Sequence, residues 1–152
     1  MRTLSDPDIR TSVIERVKTL RPGSKAVWGQ MNVHQMICHL SDSFRAALGE
    51  KVASPAAGWA SRNLLKWMAL YLPMPWPRGI KTRPEMEQGV GGTCPTDFGE
   101  DRRKLLHLLD RFSRPGDELG RFTHPLFGSM SVKEWRRWGY LHMDHHLRQF
   151  GA

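Results

Sequence analysis

The chain has only two cysteines in 152 residues, Cys38 and Cys94, and neither stands in a CxxC pair. That composition excludes a disulfide-framed scaffold and a cysteine-rich zinc finger. Long hydrophobic runs are missing too. The most apolar stretch, residues 63–77, is interrupted by Lys66 and falls short of the roughly 20 residues that span a bilayer. Trp59, Trp67 and Trp76 would suit a membrane surface. The stretch reads better as a bundle helix with tryptophan in its packing face, so no membrane partner is expected. The first residues, MRTLSDPDIR, contain no apolar h-region. No signal peptide is therefore expected, and a cytoplasmic location is the default. Basic runs are equally scarce. The net charge is +8, but Lys and Arg are scattered, with Arg102–Lys104 the one triplet. With no reading motif for nucleic acid, that partner is not expected.

What is present is ordinary globular composition, 39% hydrophobic and 25% charged, in a length that suits one domain over 1–152. Five segments carry helical periodicity. The first spans about 7–20, with Asp6 as cap, Pro7 at the first helical position and Pro22-Gly23 as stop. The second spans about 33–48. Asn32 and Gln35 have capping-box spacing, Met31 and Met36 staple spacing, and Gly49 follows as a stop. The third spans about 56–72 and ends at PMPWP. The fourth spans about 98–112, with Asp97 and Glu100 as a second box. The fifth spans about 132–150, with Ser131 and Glu134 as a third. Residues 73–96 between the third and fourth helices are rich in Pro and Gly and read as loop. A connection of that length in a compact domain is often a lid, here expected over one end of the helices. No alternating strand pattern appears, so the fold class is all-α.

The chemistry concentrates in WRRWGYLHMDHHLRQF, residues 135–150. On a wheel of about 100° per residue, His142 is the centre of one face, and Trp135, Trp138, His146 and Gln149 lie within about 40° of it. His145 sits about 60° away, at the flank. Arg136, Arg137, Tyr140, Asp144 and Arg148 point elsewhere. Histidines thus occupy the middle of a stripe that should be core, which is costly unless the imidazoles are satisfied. His142 and His146, four residues apart and about 6 Å between Cα atoms, can converge on one ion. The HExxH helix uses the same spacing, but here no glutamate lies between the histidines. The competing interpretation is a pair of hydrogen-bonded interior histidines.

A third ligand must come from another helix. The candidates are His34, His39, His107 and His124. His107, among leucines, reads as a core or boundary residue, and His124 as a loop residue. His34 falls on the far side of the second helix. His39 lies at the edge of that helix's apolar stripe, which permits it without selecting it. Asp42 and Glu134 read as solvated or capping groups, and Cys38 as core.

The segments WGQMNVHQMICHL and HPLFGSMSVKEW…HMDHHLRQFG, with the PRGIKTRPEM loop, resemble the DinB/YfiT-like metalloenzyme superfamily over most of the chain. The branch resembled is one of unknown function. The resemblance implies a four-helix bundle with an additional helix and a metal held by His39, His142 and His146. From their place near the stripe centre, Gln149, Trp135 and Trp138 are candidates to support that site or line its pocket. The ending here departs from the frequent HHRGQ pattern, reading His145-His146-Leu147-Arg148-Gln149. A divalent transition metal is expected, zinc or nickel ahead of iron or copper. The implied activity is a metal-dependent enzyme, thiol-linked transferase or hydrolase-like, acting on an unidentified small molecule. A low-molecular-weight thiol is one candidate, with Lys81 and Arg83 available to an anionic cofactor or simply solubilising the loop. The alternative is a metal or small-ligand binding protein without turnover. Six tryptophans and 39% apolar residues would also suit a homodimer face.

Overall fold

Each long helix begins where a side chain takes over its free N–H groups. Asp6 accepts from the amides of Asp8 and Ile9, and Pro7 follows it at the first helical position, starting α1 (Pro7–Thr19). Asn32 and Gln35 make a reciprocal capping box for α2 (Val33–Ala47), as Ser131 and Glu134 do for α5 (Val132–Gln149). The box expected for α4 (Phe98–Ser113) is only half formed. Asp97 accepts from the Glu100 amide, but the Glu100 carboxylate turns to Arg103 instead of back to the cap. The computed structural model describes residues 1–55, 59–116 and 119–152, and among them holds five α-helices and no strand, with α3 running Trp59–Tyr71. The expected start of α3 at Ala56 and the side chain of Trp59 lie outside the described residues. No helix among the described residues is long and apolar enough to cross a membrane.

α2 is the central element. It buries Met36, Ile37, Leu40, Phe44 and Ala47, but also Cys38, His39 and Asp42. Its broadest contact is with α4, and it also meets α5, which touches α1 and α3 in turn. An aromatic cluster joins the three inner helices, with Phe44 centred 4.8 Å from Phe112 and Trp138 about 6.2 Å from Phe112. Gly139 permits this approach, since a Cβ there would stand 2.6 Å from Phe112 and 2.9 Å from Leu4. Leu4 belongs to an N-terminal arm that docks on α5, its amide donating to the Arg136 carbonyl. Arg2 from the same arm donates to the Tyr140 hydroxyl at 3.3 Å. Tyr140, expected to point away from the core, is therefore buried. The arm supplies a wall that a helical wheel does not contain.

α3 corrects a second expectation. Leu70 is the one buried side chain among those described in this helix. Trp67 is 54% exposed and does not sit in a packing face. Trp76 behaves differently: its indole N–H donates to the Ala69 carbonyl at 2.9 Å, folding the residue back over α5.

The long 73–96 connection crosses α2 and α5, with one 3-10 turn at Pro84–Met86. Its anchor is Asp42. The carboxylate accepts from the Thr93 amide and the Thr93 hydroxyl, both at 2.7 Å, and pairs with Lys51 at 3.2 Å. Asp42 is fully buried, not solvated as its charge alone would have it. The buried position is tolerable because both oxygens are hydrogen-bonded.

Candidate metal centre

α2 contributes His39, and α5 contributes His142 and His146 from one face. The ring centres are 4.9–5.2 Å apart, and a ligand atom from each histidine lies within 4.8 Å of the other two. All three residues are buried. Trp138 lies 5.0 Å from His142 on one side and Trp76 6.0 Å on the other, so the cluster is walled by indoles. The 73–96 segment, through Trp76 and Met86, does cover the histidines.

The tautomers follow from the partners. His39 Nδ1 lies 3.4 Å from the Met86 carbonyl, which can only accept, so the proton sits on Nδ1 and Nε2 keeps its lone pair. His146 Nδ1 lies 2.9 Å from Gln149 Oε1. The Gln149 amide is itself oriented, because its Nε2 donates to the Trp28 carbonyl at 2.9 Å. That places an oxygen toward His146 and frees the His146 Nε2 lone pair as well. The Trp28 turn is tight for a reason. Gly29 has φ +80°, and a Cβ there would stand 2.7 Å from Gln149 Nε2. Only glycine allows both the conformation and the approach.

His142 is the informative member. Its Nε2 lies 3.2 Å from His39 Nε2, and its buried Nδ1 has no hydrogen-bond partner. If the proton sits on Nε2, it can donate to His39, but a bare Nδ1 lone pair is left dry. If it sits on Nδ1, two lone pairs confront each other at 3.2 Å. A cation between the Nε2 atoms removes that conflict, so the donor set fits a metal. Burial also holds all three imidazoles in the neutral, ligating form. It lowers the pKa of His39, and lowers those of His142 and His146 well below the ordinary value, with their mutual proximity adding to the effect.

The remaining expected residues divide. Gln149 is against His146, and Trp138 against His142. Trp135 stands one layer back, against Trp138 and His124. His145 flanks the cluster, its ring edge-on to Trp28 at 5.9 Å. Arg83 is committed to Ser54 at 2.6 Å and lies 4.0 Å from Glu85, while Lys81 is exposed. Glu134 is a cap group paired with Lys66. His107 is exposed and not the core or boundary residue expected, because α4 turns it toward solvent between the buried Leu105 and Leu108.

His34, Cys38 and Asp101 form a second group with ligand-like spacing. There Asp101 Oδ2 already accepts from His34 at 2.9 Å and the Thr96 amide at 3.1 Å, and Lys104 is on the other oxygen. The Cys38 thiol beside it is pushed up to about 12, chiefly by burial and then by the Asp101 charge. This cluster acts as a hydrogen-bonded junction holding the end of the 73–96 segment to α2 and α4.

Sequence reasoning missed His124. It is buried, stacked on Phe127 at 4.4 Å, and its Nδ1 accepts from the Leu126 and Phe127 amides at 3.2 Å each. Burial lowers its pKa from 6.5 to about 3. The unfolded imidazole takes a proton near pH 6.5 and the folded one does not until about pH 3. Stability from this residue is therefore complete above pH 6.5 and is lost as pH falls from there toward 3, by at most about 1.4 kcal/mol per pH unit. His124→Asn can keep an acceptor for both amides without titrating. Denaturant unfolding at pH 7 and pH 5 should show the wild type losing about 2 kcal/mol more than this variant. Parallel losses would refute the assignment.

Residues 2–152 match the family described as "Protein of unknown function (DUF1569)". The chain belongs to that family. No curated protein and no solved structure matches it. The family description assigns no chemistry, so the reading of the site rests on its own geometry.

Proposed function

We propose that this DUF1569 chain is a metal-binding protein of the DinB/YfiT-like type. In this reading its helices form a four-helix bundle with one addition, and His39, His142 and His146 hold one divalent transition ion. Zinc or nickel rank ahead of iron or copper, since three imidazoles suit all four and supply decides among them. The observation that carries the reading is the lone-pair arrangement. His39 and His146 have their Nδ1 positions occupied by Met86 and Gln149, and His142 Nε2 is 3.2 Å from His39 Nε2 with its Nδ1 unpartnered.

Three neutral protein ligands leave coordination positions open, as catalytic metal sites do and closed structural sites do not. That supports a metal-dependent enzyme, thiol-linked transferase or hydrolase-like in class. When bound, the ion would acidify a water or thiol ligand or polarise a substrate oxygen. Trp76, Met86 and Trp138 give the approach an apolar wall. A second reading, a metal or small-ligand binder without turnover, is favoured by the carboxylates. Asp42 is committed to Thr93 and Lys51, and Glu134 to its cap and Lys66, so neither is available as a general base.

Elemental analysis of tag-free protein tests the site. A stoichiometric divalent transition metal is expected, and metal-free protein that fails to take up zinc or nickel would refute it. Assays with thiols and electrophiles then separate the two readings, turnover favouring the enzyme.

A further inference from the structure

The outer face of α3 carries an apolar stripe that is largely open to solvent, with Tyr71 at its end hydrogen-bonded to Glu134 of α5. Leu64, Trp67, Met68 and Tyr71 follow one another at i, i+3, i+4 and i+7, which puts them on one side of the helix. All four are exposed, Leu64 by 62% and Trp67 by 54%. Met74 and Ile80, beyond the helix end, are exposed by 60% and 62%. An exposed apolar stripe of this kind marks a binding face.

Charge identifies what binds. Between Glu50 and Glu85 the chain contains Lys51, Arg62, Lys66, Arg78, Lys81 and Arg83 and no carboxylate. Lys51 and Lys66 are paired to acids on other elements and Arg78 lies over the Trp28 ring at 4.2 Å, while Lys81 is exposed next to Ile80 in the chain. A two-fold contact between copies through this stripe would bring acid-free, cationic segments together, which opposes self-association. An anionic surface meets both features: apolar side chains enter the acyl boundary, and Lys and Arg stay at the headgroups. Trp67 and Tyr71 have the amphipathic rings that settle at that depth.

We propose that α3 docks the protein on the surface of an anionic lipid bilayer. The expectation of no membrane partner rested on tryptophan facing inward, and the exposure of Trp67 removes that ground. The inference does not depend on the metal. Trp76, which covers His142, follows the docking helix directly in the chain, so docking would set the cover of the histidine cluster beside the lipid.

Co-sedimentation of the full chain with phosphatidylglycerol-rich vesicles tests this, with pure phosphatidylcholine vesicles as the neutral comparison. Binding is expected to the anionic vesicles alone and should weaken with salt. Leu64→Ser with Trp67→Ser should lower the partition coefficient about tenfold or more, and Lys81→Glu by roughly severalfold. These side chains are exposed, so helical content by circular dichroism should not change. Trp67→Phe keeps an apolar side chain and should still bind, but it should lose most of the fluorescence quenching that brominated lipid causes in the wild type. Three results would overturn the proposal: no binding of the wild type to anionic vesicles, equal binding by the serine variant, or a solution dimer that the serine variant dissolves. The last would give the face to a second copy.

Discussion

Replacing His39, His142 or His146 by alanine should abolish uptake of the proposed metal. Loss of an outer-shell partner typically lowers metal affinity roughly 10–100-fold, and loss of a direct ligand costs more. Two imidazoles do not hold a divalent ion against water in a site that loses its third. Gln149→Ala should fall in the outer-shell range, because it frees the Nδ1 proton of His146 from the oxygen 2.9 Å away and lets the ring turn. His34→Ala and His107→Ala should keep full occupancy, since His34 is engaged with Asp101 and His107 faces solvent. His145→Ala is the strict control. It is one residue from His146, but its ring sits edge-on to Trp28 and to His146. Elemental analysis of the tag-free variants decides. Undiminished metal in the three ligand variants would end the proposal, and metal lost in His145→Ala but retained in His146→Ala would move the site by one residue.

Asp42→Ala should release the 73–96 segment. The carboxylate is fully buried and accepts from the Thr93 amide and hydroxyl, while Lys51 and Arg45 lie at 3.2 and 3.6 Å. Deleting it removes two hydrogen bonds to a charged acceptor, about 1.5–3 kcal/mol, with water able to reach the exposed Thr93 donors. The two cations are partly exposed and add little. A total loss of about 3 kcal/mol is expected in denaturant unfolding. Amides near Thr93 should exchange faster, and a chelator should strip the metal sooner because Met86 and Trp76 belong to the same segment. Asp42→Asn keeps one acceptor oxygen and should fall between. Unchanged unfolding and exchange in Asp42→Ala would show that the anchor lies elsewhere.

The paired histidines were legible because both lie on one helix. Spacing of four residues on a polar interruption of a core stripe is a local property, and α5 has that stripe as the wheel drew it, with Trp135, Trp138, His142, His146 and Gln149 all buried. The caps were legible for the same reason, each depending on residues within three positions. His39 was not selected by its own helix. At sequence level the choice came from the family resemblance, and in the fold it comes from α2 lying beside α5.

Tyr140, Asp42 and His124 are buried by a second surface that their own segments do not contain. Tyr140 looked outward until the N-terminal arm covered it, and Asp42 looked solvated until Thr93 reached it from 51 residues away. His124 sat in a loop that proved to be packed on Trp138, at 5.1 Å. α3 gave the reverse error. Its Leu64, Trp67, Met68 and Tyr71 have the period of a packing face, and all four are exposed.

The helices, the capping residues and the convergence of His142 with His146 follow from residue order alone, because each depends on contacts within about one helical turn. Tertiary structure alone decided which histidine faces them, which carboxylate is buried and which apolar stripe stays open. A helix carries its stripe in its own residues, but whether that stripe is inside or outside depends on what the rest of the chain sets against it.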